Sequence, residues 1–367
     1  MVSPAMADPY LARQERLRAM LVRRKVEGLL VSGLANIAYL TGFRGSAGMA
    51  LFGREARILW VDPRYTLQAR EQAQGVEVIE ERRGLLKAAA RWLNGNKIRC
   101  LGYEAAHLTC EEFARLRRET RAGVRMTPAG ELVEDLRVAK DAGEIEKIRG
   151  AARLTVAVFQ AVLKHVHPGV QERDLAAEIE YRMRKMGAEG AAFETIVASG
   201  PRSALPHARA SSKSLQENDL VIFDLGAILA AYAADMTRTI FLGSPSRAVR
   251  RLYAAVREAQ ERAVAAARVG ARTGDVDAAA RRSLRRSKLD QFFTHSTGHG
   301  VGLEIHERPR LARGERVPLP AGSVITAEPG VYIPDLGGIR IEDTVLVTPE
   351  GPEILTPASK DHWIIEA

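Results

Sequence analysis

Cysteine is nearly absent, with two residues, Cys100 and Cys110, in a chain of 367. Their spacing is too long for a CxxC redox or zinc motif and too short to staple a fold, so two free thiols, buried or half-buried, are expected. Aromatic residues are scarce at 5%, which leaves few platforms on which nucleic-acid bases could stack. No stretch approaches the ~20 apolar residues of a membrane span. The opening run MVSPAMADPYLARQERLRAM carries charges where a signal peptide needs an apolar core. No short-period repeat or low-complexity tract is present. These absences exclude a disulfide scaffold and a membrane-spanning helix, and the cytoplasm is the expected location.

Hydrophobic residues make up 46% and charged residues 27%, ordinary for a globular chain with a sizeable core. At ~150 residues per domain the length predicts two domains or one large one. Lys and Arg number 54 against 45 Asp and Glu, a formal net charge of +9. The excess is uneven: residues 1–130 hold 22 basic and 13 acidic side chains, and residues 131–367 hold 32 of each. Arginine dominates, and much of it lies on amphipathic patterns such as residues 13–25, where a solvated helix face explains it. No nucleic-acid or membrane partner is therefore expected from the charge.

Apolar spacing predicts helices over residues 9–25, 65–74, 85–93 and 111–120, alternating with strands over 28–32, 49–52, 58–61, 76–79 and 98–101. This is an α/β layer domain. A mixed-charge helical connector follows from residue 131 to about 165, interrupted near residues 141–143, and then a helix over 172–186. Beyond it the texture changes to long β-rich runs at 220–225, 233–242, 324–332 and 338–347, with helices over 245–269 and 275–286 between them. Runs that follow each other directly can pair antiparallel, so the second half reads as α+β. The domain boundaries expected are 1–130 and 131–367.

The chemistry-bearing residues concentrate in that second half. Asp224 lies in VIFDLGA and Asp235 eleven residues later in YAADMTRTIFL; His299 stands in HSTGHGVG, Glu328 in VITAEPGVY and Glu342 in GGIRIEDTVLV. One aspartate in a strand is ordinarily explained by an ion pair. Four carboxylates and an imidazole in apolar flanks are harder to explain so, because each unpaired carboxylate there is costly. Together they make a cage for two divalent cations, whose four positive charges match the four carboxylates. Oxygen-rich ligation with one histidine suits Mn²⁺, Co²⁺ or Zn²⁺. Two such ions could activate a water at neutral pH and polarise a carbonyl, the recipe for metal-assisted amide hydrolysis.

The runs FDLGAILAAYAADMTRT, HSTGHGVGLEIHE, TAEPGVY and IRIEDTVLV resemble the metallopeptidase family of aminopeptidase P and prolidase. The first-half run VSGLANIAYLTGFRGSAG and the connector LRVAKDAGEIEKIRGAARL are similar to the same family. The resemblance implies a creatinase-like first domain and a pita-bread catalytic domain. It also implies that Asp224 binds one metal, His299 and Glu328 the other, and that Asp235 and Glu342 bridge both. His207, in LPHARAS, matches a histidine beside the substrate, and His295 and His306 match two that surround the scissile peptide. Two small departures occur: Ala231 stands where the family has glycine before the tyrosine, and Ala234 where it has a small polar residue.

Arg340 lies two residues before Glu342, and the alternation of a strand puts both on one face, where the guanidinium could orient that carboxylate. His165 and His167 precede Pro168–Gly169 and read as helix-end residues, and His107 as a surface or interface residue, with no chemistry assigned.

The reaction implied is metal-dependent hydrolysis of an Xaa-Pro bond, with Glu328 shuttling a proton to the departing proline nitrogen and His295 and His306 as hydrogen-bond donors. A proline-containing peptide is the expected substrate, Mn²⁺ the expected metal and a homodimer the expected assembly. Xaa-Pro aminopeptidase is preferred over Xaa-Pro dipeptidase, because nothing in the catalytic half reads as an extra loop that closes the exit side. Residues 39–46 are the segment where such closure could arise. A binding module on this fold and a metal-free amidinohydrolase are the readings from other classes. Retention of all five ligands argues against both.

Overall fold

The computed structural model describes residues 8–366, and the chain divides into two units between Arg137 and Val138. In the first unit α1 (Pro9–Arg23) starts where Asp8 accepts from the Tyr10 amide at 2.9 Å and Pro9 takes the first helical position. Then come β1 (Gly28–Val31), α2 (Leu34–Thr41), β2 (Met49–Gly53), β3 (Arg57–Val61), α3 (Thr66–Gln72), β4 (Glu77–Glu80), α4 (Leu85–Gly95), β5 (Cys100–Tyr103), α5 (Cys110–Glu119), β6 (Arg125–Pro128) and α6 (Leu132–Arg137). The strands form one mixed sheet in the order β4-β3-β2-β1-β5-β6, the expected α/β layer.

Three sequence expectations change in this unit. Helix α2 went unread because LANIAYLT is apolar almost all round, with Asn36, Ile37, Tyr39, Leu40 and Thr41 all buried, so no amphipathic period betrays it. The Arg-rich face of α1 is not wholly solvated: Arg13 is buried, donating to the Tyr39 carbonyl at 2.9 Å with its guanidinium over the Tyr39 ring, whereas Arg16, Arg18, Arg23 and Arg24 are exposed. The boundary falls after Arg137, not 130, because α6 buries Leu132 and Val133 and Arg137 donates to Asn36 Oδ1 at 2.8 Å. Cys100 is buried and Cys110 exposed, and both are free thiols. His107 is tied to Glu134 at 2.9 Å within this unit.

The second unit opens on α7 (Ala142–Val162), which begins at a capping box between Asp141 and Glu144, the interruption expected in the connector. It continues with α8 (Glu172–Lys185), β7 (Gly190–Ala191), β8 (Ile196–Ser199), β9 (Leu220–Leu225), β10 (Ala227–Leu229), β11 (Tyr232–Ala233), β12 (Met236–Leu242), α9 (Arg247–Ala266) and α10 (Thr273–Arg286). The last strands are β13 (Gly298–Gly300), β14 (Glu307–Leu311), β15 (Val324–Ala327), β16 (Gly330–Ile333), β17 (Gly337–Arg340), β18 (Asp343–Thr348), β19 (Gly351–Ile354) and β20 (Ile364–Ile365). They form sheets of order β20-β12-β9-β8 and β14-β13-β15-β18-β19, a small sheet β11-β10-β7 and the hairpin β16-β17.

Each helix pair covers one large sheet. Val158, Phe159, Leu175 and Ile179 of α7 and α8 pack on Val221, Phe223 and Ile240 of β9 and β12. Val256, Ala263, Val276 and Ala280 of α9 and α10 pack on Ile325, Ile339 and Val345 of β15, β17 and β18. Each large buried aliphatic side chain contributes about 1.5–3 kcal/mol.

The β-rich runs read as continuous in the sequence are in fact broken. The run over 233–242 stops between Ala233 and Met236, that over 324–332 between Ala327 and Gly330, and that over 338–347 between Arg340 and Asp343. Asp235, Glu328 and Glu342 occupy these breaks.

Candidate metal centre

A break in a strand frees a carboxylate from the alternation of its neighbours, and three breaks converge here. Asp224, inside β9, lies opposite Thr237 of β12 and Ile196 of β8. Asp235 is held through its backbone, its amide donating to Thr344 Oγ1 at 3.2 Å while that hydroxyl donates back to the Asp235 carbonyl at 2.7 Å. His299 is the centre of β13, and a Cβ on Gly298 or Gly300 would come within 2.1 Å of the Thr326 or Arg308 carbonyl. Only glycines let the imidazole strand lie so close to its neighbours. Glu328 donates its amide to Thr297 O, and Glu342 accepts from Thr237 Oγ1 at 2.6 Å.

Asp235, His299 and Glu342 offer ligand atoms within 4.8 Å of one another. His299 Nε2 stands 3.6 Å from Asp235 Oδ2 and 3.5 Å from Glu328 Oε1. Its Nδ1 lies 3.0 Å from the Gly300 carbonyl, so the ring proton sits there and a lone pair faces the carboxylates. Asp224 Oδ1, Asp235 Oδ1 and Glu342 Oε1 are buried with no hydrogen-bond partner among the described residues.

Electrostatics tell the same story. Burial, reinforced by Glu342, Asp224 and Glu328, pushes the Asp235 carboxyl well above the carboxylate range. Burial, reinforced by Glu328 and Asp224, does the same to Glu342. Glu328 is pushed up to about 7, again chiefly by burial. Burial lowers His299 to about 4, leaving it neutral and able to ligate. Orphaned carboxylate oxygens, mutual repulsion and an outward lone pair all fit divalent cations, with Asp224, Asp235, His299, Glu328 and Glu342 as the donor set.

Arg340 lies on the same face as Glu342, as strand alternation places it, and both side chains line the cavity, but its guanidinium meets a different carboxylate of the cluster. Its Nη2 pairs with Asp224 Oδ2 at 2.6 Å and not directly with Glu342. The link to Glu342 is indirect: Arg340 Nε donates to Thr237 Oγ1 at 3.0 Å, and that hydroxyl donates to Glu342. Arg340 Nη1 also donates to the Tyr332 hydroxyl at 2.7 Å, which lies 2.8 Å from His295 Nε2. His295 Nδ1 lies 2.9 Å from the Ser296 carbonyl. Both its ring nitrogens are engaged within the protein, contrary to the expected donor role, and burial lowers it to about 4.

A cavity of about 730 Å³ opens over the cluster, with the five candidate ligands, His207, His295, His306 and Arg340 in its wall. His306 packs edge-on to His299 with ring centroids 4.3 Å apart. His165 and His167 do not line it: His165 meets Arg182, and His167 stays on its own loop beside the Pro168 carbonyl. Phe193, Ile196 and Pro206 supply an apolar wall, and Arg310, exposed on β14 opposite His299, has no hydrogen-bond or ion-pair partner among the described residues. Sequence reasoning missed Thr237, Tyr332, Phe193, Ile196 and Arg310. The tyrosine stands four residues after Glu328 and the threonine two after Asp235, spacings that place them near the cluster; the other three carry no signal.

The family models agree with this architecture. One described as metallopeptidase family M24 matches residues 146–349, and one described as the creatinase/prolidase N-terminal domain matches residues 13–139. The chain is 36% identical over 344 residues to the Xaa-Pro dipeptidase of Pyrococcus horikoshii, covering 92% of this chain and 95% of that one. A solved Xaa-Pro dipeptidase from Bacillus anthracis superposes with TM-score 0.94 at 37% identity, covering 97% and 100% of the two chains. An X-Pro aminopeptidase from Thermotoga maritima gives TM-score 0.88 at 36% identity, covering 96% and 99%. The creatinase-like first domain and pita-bread second domain implied by the sequence are thus the fold of these relatives.

Proposed function

The chain belongs to metallopeptidase family M24, and from that premise we propose that it hydrolyses Xaa-Pro dipeptides with two divalent ions, Mn²⁺ foremost, held by Asp224, Asp235, His299, Glu328 and Glu342. The observation that carries the metal site is the His299 lone pair facing Asp235 and Glu328 beside three orphaned carboxylate oxygens. Bound there, the ions supply Lewis acidity toward the scissile carbonyl and lower the pKa of a water.

The chain's own residues do the rest. As the water oxygen bonds the scissile carbonyl carbon, Glu328 takes the proton the water gives up and passes it to the proline nitrogen as the C–N bond breaks. His207 and His306, whose rings face the cavity, donate hydrogen bonds to the substrate backbone, and His295 holds its ring in place through Tyr332 and Ser296. A proline amide has no N–H, so recognition rests on shape, with Phe193 and Ile196 against the pyrrolidine ring. The free α-amino group meets the carboxylate-rich floor.

Dipeptidase replaces the aminopeptidase preference of the sequence for one structural reason. Arg310 is an unpaired guanidinium in the cavity wall, suited to a bidentate grip on the free carboxylate that a dipeptide carries directly on its proline. Two of the three relatives named above are Xaa-Pro dipeptidases and one is an X-Pro aminopeptidase, a balance that favours the same choice. Turnover of Gly-Pro, Gly-Pro-X and Ala-Ala-X with Mn²⁺ tests it. The dipeptide should be the best substrate; a faster tripeptide returns the assignment to Xaa-Pro aminopeptidase, and cleavage of Ala-Ala-X alone rejects both.

A further inference from the structure

His207 reaches the cavity from a loop, residues 200–210, whose regular structure is a single 3₁₀ turn at Gly200–Ala204. A histidine on such a segment has no ladder to aim it, so what fixes the loop fixes the histidine. Both ends close on one buried side chain. Glu172, the first residue of α8, has a side chain 0% exposed. Its Oε1 accepts from the Ser199 amide and the Ser199 hydroxyl, each at 2.8 Å. Its Oε2 accepts from the Ser211 amide at 3.1 Å, the Ser211 hydroxyl at 2.7 Å and Arg202 Nε at 3.0 Å.

Five donors saturate a carboxylate, which offers about four lone-pair sites. Burial alone would push the Glu172 carboxyl up, but the Ser211 and Ser199 donors and the Arg202 charge hold it below its ordinary range. Arg202 reaches on to the Arg209 carbonyl at 2.6 Å, spanning the loop from within. On the cavity side, Arg340 Nη1 donates to the Pro206 carbonyl at 3.1 Å, next to His207. Glu172 itself does not line the cavity.

We propose that Glu172 is a positioning residue of the peptidase site, aiming His207 into the cavity by tying Ser199, Arg202 and Ser211 to one carboxylate. This rests on the peptidase reading of His207. Glutamine is the discriminating replacement, because its amide nitrogen must face either the Ser199 or the Ser211 donors and so releases one end of the loop.

The test is a double-mutant cycle on the metal-loaded full chain, with wild type, Glu172→Gln, His207→Ala and the double variant assayed on Gly-Pro, alongside hydrogen exchange at amides 200–210. Glu172→Gln should lower kcat/KM by about 10²-fold, the loss that follows a misplacement of about 1 Å. It should reproduce the kcat-against-KM split of His207→Ala, with unchanged metal content. Added to His207→Ala it should change kcat/KM by no more than about twofold, since the two act as one unit. A further ~10²-fold loss in the double variant, or unchanged exchange over 200–210 in Glu172→Gln, overturns the proposal. Should Glu172→Gln fail to fold, Ser211→Ala in the same cycle and exchange measurement decides by the same criteria. If wild type cleaves no Xaa-Pro peptide, the peptidase reading fails separately, and faster exchange confined to 200–210 still decides whether Glu172 closes the loop.

Discussion

Replacing Arg340 with methionine removes one counter-charge from a cluster of four carboxylates while preserving most of the buried volume. In the wild type the guanidinium pairs with Asp224 at 2.6 Å and donates to Thr237, Tyr332 and Pro206. Breaking a buried pair from one side costs about 3–5 kcal/mol, because the surviving charge is left unpaired. Asp224 retains 14% side-chain exposure at the cavity, so the lower end, about 3 kcal/mol, applies. For a unit of this size, at about 2–4 °C per kcal/mol, the metal-free Tm should fall by about 6–12 °C.

The deficit should depend on pH. Burial raises Asp235, Glu342 and Glu328, the last to about 7, and Arg340 opposes each of these shifts. Carboxyls with folded values above their unfolded value of about 4 make the native state bind more protons than the unfolded state across that window. Metal-free stability therefore falls as pH rises through it. Without Arg340 the window extends upward, so the variant should lose more at pH 8 than at pH 5. Calorimetry of chelator-treated protein at the two pH values reads both effects. A Tm within 2 °C of wild type at pH 8, or a larger loss at pH 5, would refute the reasoning.

Binding Mn²⁺ to metal-free protein at pH 6.5 should release at least one proton, because Glu328 titrates near 7 and Asp235 and Glu342 lie above their usual range; calorimetric titration in two buffers of different ionisation enthalpy measures this, and the release should shrink at pH 8.5. Arg310→Met should lower kcat/KM for Gly-Pro about 10- to 100-fold, the worth of a charge-assisted hydrogen bond of roughly 1.5–3 kcal/mol. It should leave the uncharged Gly-Pro amide within about threefold, and equal losses on both would remove Arg310 from substrate recognition. Ala231→Gly should raise Tm, since Ala230 and Ala231 form the two-residue turn between β10 and β11 at φ 50° and 70°. Relief of about 1–2 kcal/mol of left-handed strain less the added chain entropy predicts a net gain near 1 kcal/mol, and a lower Tm would contradict it.

The five candidate ligands were legible because each sits in an apolar run where a lone carboxylate or imidazole is conspicuous. What the runs concealed was their interruption. Ala327, Glu328, Pro329 and Gly330 read as one strand by composition, yet the chain breaks there and aims Glu328 at His299. Alternation put Arg340 and Glu342 on one face, where both meet Thr237 Oγ1, but could not show which carboxylate the guanidinium pairs with. Alternation orders neighbours along one strand, whereas Asp224 comes from another strand 116 positions away. Arg310 carried no signal among so many arginines, and only its position opposite His299 singles it out. Glu172 carried no sequence signal beyond opening a helix, because its five donors lie outside that helix.

The central claim is that these five side chains hold two divalent ions on which Xaa-Pro hydrolysis depends. Metal-stripped protein titrated with Mn²⁺, with bound metal and Gly-Pro turnover followed together, tests it most directly. Activity should rise from none to a plateau at two ions per chain, and Asp235→Ala should lose both the metal and the turnover. Full activity in the stripped protein, or an Asp235→Ala variant that hydrolyses Gly-Pro at the wild-type rate, would contradict it.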